Sequence, residues 1–333
     1  MKTLTDNFGR VHNYLRISLT DRCNLNCSYC NPLMLRTEYI NKEEILSFEE
    51  IYRLIRIFSE FFNVKKVRFT GGEPLARKGF VPFLKGLKKL KNEFGFQTAI
   101  TTNGVLLAEK LDDIINSGLD GINISLDSFI PDIFKNITGK KELHKVLLAI
   151  YRAKEMSLKN LKLNCVVMRG VNDNEILRFA EFAVKNDINV RFIEYMPFTN
   201  NGWNEGTFIS SAQIKKIIEA KYILEECASS GSVSKDYWIK GNKGKISFIS
   251  SISDHFCSTC SRLRITAKGS MRLCLFSGEK QELNLKNFLR DSSITNSDIA
   301  GIINEIVKTK QEKHASITDL VNMDYNYMLR NGG

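Results

Sequence analysis

No apolar run in this chain of 333 residues is long enough to cross a bilayer. The longest, such as Val146 to Ile150, fall far short of the roughly 20 residues that a membrane helix needs. Residues Met1 to Asp6 open directly into polar sequence, without the apolar stretch of a secretory signal. A cytoplasmic protein with no membrane partner is the expectation. Histidine is scarce, with four in all, and His12, His144 and His314 show no ligand spacing. Also missing is a basic stripe interleaved with aromatics, so the net charge of +11 does not by itself mark a nucleic-acid surface. Lys85 to Lys91 and Lys308 to Lys313 read as solvated helix faces; the sharper reading of the charge is an anionic substrate drawn to a basic cleft. With 43% hydrophobic and 26% charged residues, the chain is globular.

Cysteine, by contrast, is plentiful. Eight cysteines in such a chain point to metal ligation and not to a disulfide framework. Cys23, Cys27 and Cys30 form a C-x3-C-x2-C run. Three thiols in a short loop suit three irons of a [4Fe–4S] cube and leave the fourth open for chemistry. A closed zinc site would need a fourth ligand, and no further Cys or His lies nearby. Cys257, Cys260 and Cys274 make a second set of three. Here zinc is a stronger rival, because His255 stands two residues before Cys257, although that spacing is tight for a tetrahedron. A second three-cysteine cluster, again with an open iron, is the other reading. Arg262 and Arg264 lie inside this run, two apart on an expected strand, so both face one side. Paired guanidiniums there suit bidentate capture of phosphate. Cys165 and Cys227 read as small buried apolar fillers.

Between and around these sets the pattern alternates. Strands are expected at 14–19, 66–69, 98–101, 121–126, 161–167 and 189–195, and helices at about 48–62, 79–94, 105–117, 142–157 and 174–186. The first helix has Ser47 as N-cap and Glu50 three residues on, a capping box, followed by an apolar stripe from Ile51 to Phe62. Strict alternation of β and α implies a parallel sheet. Six units alone do not separate a barrel from an open doubly wound sheet. The polar inserts all follow strands: the cysteine loop, Gly71-Gly72-Glu73-Pro74, Thr101 to Gly104, Ser125 to Asp127 and Tyr195 to Pro197. That places them on one rim. Asp127 is explained equally well as a cap or loop hydrogen bond. After about residue 222 the rhythm stops; Ser229 to Ser232 reads as a linker, followed by a hairpin of 235–240 and 245–249. The expected division is therefore 1–222 and 223–333.

The C-x3-C-x2-C run with GGEP after the second strand resembles the radical S-adenosylmethionine (SAM) enzymes. That resemblance implies a partial (β/α)6 TIM-type barrel with a C-terminal extension. It also implies SAM contacts at Tyr29, Gly71, Gly72, Glu73, Ser125 and Met196. Over nearly its full length the chain is similar to the GTP 3′,8-cyclase family of molybdenum cofactor biosynthesis. The matching stretches are Arg16 to Cys30, GGEPL at 71–75, TTNG at 101–104, ISLDS at 124–128, RFIEYMP at 191–197, CSTCSRLR at 257–264 and the terminal Gly332-Gly333. Asn31 and Ala76 depart from the family's usual residues. The family implies two [4Fe–4S] clusters, on Cys23, Cys27 and Cys30 and on Cys257, Cys260 and Cys274. It implies GTP contacts at Arg16, Arg68, Thr101, Lys162, Arg262 and Arg264, with Arg16, Arg262 and Arg264 around the reacting nucleotide. The implied reaction starts with a 5′-deoxyadenosyl radical taking the ribose C3′ hydrogen of GTP. Attack on guanine C8 then gives 3′,8-cyclo-7,8-dihydro-GTP. An unidentified electron donor, a homodimer, a Gly-Gly tail reaching the active site and cyclic pyranopterin monophosphate synthase as the downstream enzyme are implied as well.

Overall fold

The strand–helix alternation comes from residues that each bury one face. The computed structural model describes residues 2–30, 39–156, 158, 160–227, 233–277, 282–322 and 328. The tail glycines, Asn31 and Ser229 to Ser232 lie outside them. α1 (Phe48–Phe62) starts on the expected capping box: Glu50 N donates to Ser47 Oγ at 3.2 Å, and Ser47 N to Glu50 Oε2 at 2.6 Å. Its Ile51, Leu54, Ile55, Phe58 and Phe62 are buried. The helix stops where Asn63 turns left-handed. α2 (Phe80–Phe94) ends in the same way on Gly95. α3 (Leu107–Asn116), α5 (Leu143–Glu155) and α6 (Ile176–Asn186) follow as the apolar spacing implies.

Among the described residues before 222, two α-helices escaped the sequence pattern. α4 (Pro131–Thr138) has only eight residues, opened by a proline in its first turn and closed by Gly139 at φ 70°. α7 (Ser211–Glu219) starts on a Ser210–Gln213 capping box.

Six strands run parallel in chain order: β1 (Tyr14–Ser18), β2 (Lys66–Thr70), β3 (Gln97–Thr102), β4 (Gly121–Ser125), β5 (Leu161–Val167) and β6 (Asn189–Glu194). This is the expected partial barrel. The later strands extend the same sheet at both ends. β7 (Leu224–Glu226), β8 (Lys235–Ile239) and β9 (Lys245–Ile249) form an antiparallel set, and β9 docks parallel on β6. β10 (Arg262–Ile265) docks parallel on β1 and carries β11 (Ser270–Arg272) and β12 (Leu283–Asn284) outside it. α8 (Leu285–Arg290), α9 (Asn296–Lys308) and α10 (Ile317–Asn322) complete the C-terminal part, with α9 against α1.

One face of β5 and β6 packs under the helices through Leu163, Cys165, Val190 and Phe192. The other face carries Lys162, Asn164, Arg191 and Ile193 toward the barrel axis. An all-apolar filling of the axis would close a barrel into a packed core; charged side chains leave a cavity instead. Cys165 is buried as expected. Cys227 is only half-buried, at the end of the short edge strand β7.

Candidate active site

A cavity of about 880 Å³ opens along the axis. Its wall includes Cys23, Cys27 and Cys30 together with Cys257, Cys260 and Cys274. Tyr29, Gly71, Gly72, Ser125 and Met196 line it, as do Arg16, Arg68, Thr101, Lys162, Arg262 and Arg264. Of the described residues expected to contact a cluster, SAM or GTP, only Glu73 does not.

Strand register explains this convergence. In a parallel sheet, residues opposite one another share a face. Arg262, Tyr14, Lys66 and Gln97 form one row across β10, β1, β2 and β3. Arg264, Arg16 and Arg68 form the next. Thr101, Asn123, Lys162 and Asn189 make a third row, and Ser125, Asn164, Arg191 and Ser247 a fourth. Residues distant in sequence thus meet because strand neighbours bring them level.

The cations are held in place. Arg68 Nε donates to Tyr14 Oη at 2.6 Å, and its NH1 donates to Ile100 O at 2.8 Å and to Thr101 Oγ1 at 3.2 Å. Arg16 is also hydrogen-bonded to Tyr14. Asn123, with its amide oxygen turned inward, accepts from both Arg68 and Arg191 at 3.2 Å. Lys66 Nζ stands 5.5 Å from the Tyr14 ring centroid. Burial and neighbouring cations lower Arg16 and Arg191 to about 10 and Lys162 to about 8. Arg264 falls well below its ordinary value for the same reasons. So many cations in one low-dielectric pocket repel one another, and a polyanion relieves that cost.

Burial raises the thiols of the first set and Cys257 of the second, and Cys260 departs from them. Burial pushes Cys23 up to about 11 and Cys30 to about 12, and raises Cys27 well above its usual value; Glu73 or Asp127 adds to this. Cys260 goes the other way: burial would raise it, but Arg262 and Lys310 bring it to about 7. All six are free thiols. Among the described residues, no group of three or more His, Cys, Asp or Glu side chains is arranged around a single metal ion. A cube takes one thiolate at each of several corners, so thiols spread along one wall fit it. The buried thiols of the first set also fit ligands that give up their protons to iron.

Around the first set, Tyr29 Oη donates to Asp127 Oδ2 at 2.8 Å, and Val166 N donates to Asp127 Oδ1 at 2.8 Å. Asp127 therefore ties the cysteine loop to β5, a role its sequence position did not distinguish from a cap. Asn103 Nδ2 reaches Asn24 Oδ1 at 2.7 Å and Cys23 Sγ at 3.6 Å. Glu73 is wholly buried behind the GGEP turn. It accepts from Leu75 N, Thr102 Oγ1 and Asn103 N at 2.8–2.9 Å, and burial raises it to about 7. Its carboxylate braces the turn against the β3 loop. Both glycines of that turn press on backbone: a Cβ at Gly71 would lie 2.6 Å from Thr20 O, and one at Gly72 2.3 Å from Arg22 O.

Sequence spacing did not find Tyr14, Asn123, Asn164 or Arg191, which reach the cavity only through register. Nor did it find His314, which lines the wall with its ring 5.0 Å from that of His255. His12 is buried against Asp6 Oδ2 at 2.9 Å, away from this wall.

The family model described as Radical SAM superfamily matches residues 17–183, and that described as Molybdenum Cofactor Synthesis C matches 188–316. The chain is 42% identical over 327 residues to molybdenum cofactor biosynthesis protein 1 of Dictyostelium discoideum, covering 95% of this chain and 50% of that protein. It is 40% identical over 315 residues to the GTP 3′,8-cyclase of Desulforamulus reducens, covering 93% and 95%. In fold it resembles SuiB of Streptococcus suis bound to SAM, with a TM-score of 0.64 at 15% identity, over 95% of this chain and 76% of that one. The chain spans about half the length of several curated relatives, those of D. discoideum and Drosophila melanogaster among them. The chain belongs to the GTP 3′,8-cyclase family within the radical SAM superfamily. Membership implies SAM and an iron–sulfur cluster.

Proposed function

We propose that this chain converts GTP into 3′,8-cyclo-7,8-dihydro-GTP, the first step of molybdenum cofactor synthesis. The observation that carries this reading is the cationic wall itself. Arg16, Arg68, Lys162 and Arg191, with Arg262 and Arg264, line one cavity together with two three-cysteine sets, and that cavity is large enough for two small molecules. A nucleoside triphosphate matches that charge and the need to span the wall. When bound at Cys23, Cys27 and Cys30, the cluster supplies the electron that turns SAM into the source of a hydrogen-abstracting radical.

The protein's own residues do the rest. Gly71, Gly72, Ser125, Met196 and the Tyr29 backbone hold SAM beside the first site, with Glu73 stiffening the turn from behind. Arg68, Lys162 and Thr101 take the phosphates. Arg16, Arg262 and Arg264 orient the nucleoside so that ribose C3′ faces the radical source and guanine C8 faces C3′. Burial keeps water from a radical that would otherwise be quenched. A second [4Fe–4S] cluster on Cys257, Cys260 and Cys274 belongs to this proposal, as do the division at 222/223, a cytoplasmic homodimer and a Gly332-Gly333 tail in the site. An electron donor and cyclic pyranopterin monophosphate synthase downstream belong to it too.

The test is 5′-deoxyadenosine formation by anaerobically reconstituted protein with SAM and reductant, with and without GTP. A large GTP-dependent rise with loss of GTP is expected. SAM cleavage indifferent to GTP would leave the superfamily chemistry intact and remove the nucleotide.

A further inference from the structure

Lys310 is a buried lysine with no surface role. It follows α9 and is 5% exposed. Its ammonium donates to Leu273 O at 2.5 Å, to Arg262 O at 3.0 Å and to Cys260 Sγ at 3.9 Å. Leu273 immediately precedes Cys274, and Arg262 stands two residues after Cys260. One side chain therefore touches the backbone beside two cysteines of the second set and the sulfur of one of them. Neighbouring chain is pinned in the same way: Arg10 donates to Cys257 O at 2.9 Å and to Gln311 O and Glu312 O at 2.6–2.7 Å. Asp6 in turn holds Arg10 Nε at 2.6 Å.

A charge buried this deeply is retained only where it is satisfied, and two carbonyls and a sulfur satisfy it. A neutral side chain would serve the two carbonyls as well. The feature that needs a cation is the sulfur and whatever charge that sulfur carries. At the first set the contacts are of another kind: Asn103 donates to Cys23, and Asp127 lies close by through Tyr29. The two sets thus differ in the sign of the charge packed behind them.

We propose that Lys310 is the positioning and charge-setting residue of the second three-cysteine site, holding its ligand segments together and raising the reduction potential of the cluster they bind. A fixed positive charge at a ligand sulfur stabilises the more negative, reduced form of a cluster. This rests on the reading of Cys257, Cys260 and Cys274 as cluster ligands.

The experiment isolates the second site in the full chain by Cys23→Ala, Cys27→Ala and Cys30→Ala together, then adds Lys310→Gln or Lys310→Met. Iron per chain and the midpoint potential are read by iron analysis and a potentiometric titration followed by EPR. About four irons per chain are expected in the triple variant. Lys310→Gln, which keeps a donor for the carbonyls but no charge, is expected to keep its iron and shift the potential to more negative values. Lys310→Met is expected to show the same shift with reduced iron retention. An unchanged potential in an iron-loaded Lys310→Gln protein overturns the proposal. A triple variant that binds no iron overturns the second-cluster reading beneath it instead.

Discussion

Tyr14 shows how much a single side chain can do to a cavity full of cations. Burial pushes its phenol up, yet Arg68, Arg16 and Lys66 outweigh burial and bring it down to about 7. Lys162, at the other end of the same wall, is lowered to about 8 by burial and by Arg191. Both titrations act in one direction. As pH rises through about 7 the phenol becomes negative, and through about 8 the ammonium becomes neutral, so the wall loses positive charge twice. The KM for GTP is expected to rise several-fold across this window, with kcat changing less. Tyr14→Phe should abolish the lower step and leave the upper one, as initial rates against GTP and pH will show. A KM that stays flat through the window would remove these two groups from substrate binding.

At the scale of elements, the turn between β2 and α2 is tightly constrained. Gly72→Ala drives a Cβ to 2.3 Å from the Arg22 carbonyl, where both partners are backbone and neither yields cheaply. The turn must then leave the chain that leads into Cys23. Iron retention at the first site and SAM affinity are both expected to fall, SAM by tenfold or more on the order expected for a displaced binding loop. Gly86→Ala is the matched control. Gly86 is exposed in the middle of α2 with open space around it, so alanine is expected to stabilise the protein by about 0.5–1 kcal/mol in urea unfolding.

Elements of this kind differed in how legible they were. α1 could be read from Ser47, Glu50 and its apolar stripe, because those signals are local. The cysteine runs, GGEP and the Arg262–Arg264 pair could be read for the same reason. α4 was too short to show a period, and α7 falls where the βα rhythm was fading. Arg191 and Asn123 had the parity of cavity residues but no local mark; what places them is which strand lies beside which. Lys310 looked like part of a solvated basic run and is instead buried, since the chain after α9 turns inward.

The whole molecule depends on a sheet whose two halves share edges. β9 covers β6 and β10 covers β1, so the strands that begin and end the first part are edges only if the second part is missing. A chain ending at residue 222 would expose both as unpaired parallel strands carrying apolar side chains, and such edges aggregate. Residues 2–222 alone are expected to elute as soluble aggregates or to unfold at much lower urea than the full chain, as size-exclusion chromatography and urea titration will report. A monodisperse fragment of full stability would make the first part self-sufficient. The β1–β10 pairing also sets a timetable. During synthesis β1 emerges first, and the strand that will cover it is made only after most of the chain, on the order of tens of seconds later at ordinary translation rates. The first cysteine loop leaves the ribosome near the start of that interval and the second near its end. The two sets of cysteines are thus delivered at separate times by the order in which the chain is made, and the arginine wall is complete only when both ends have been delivered.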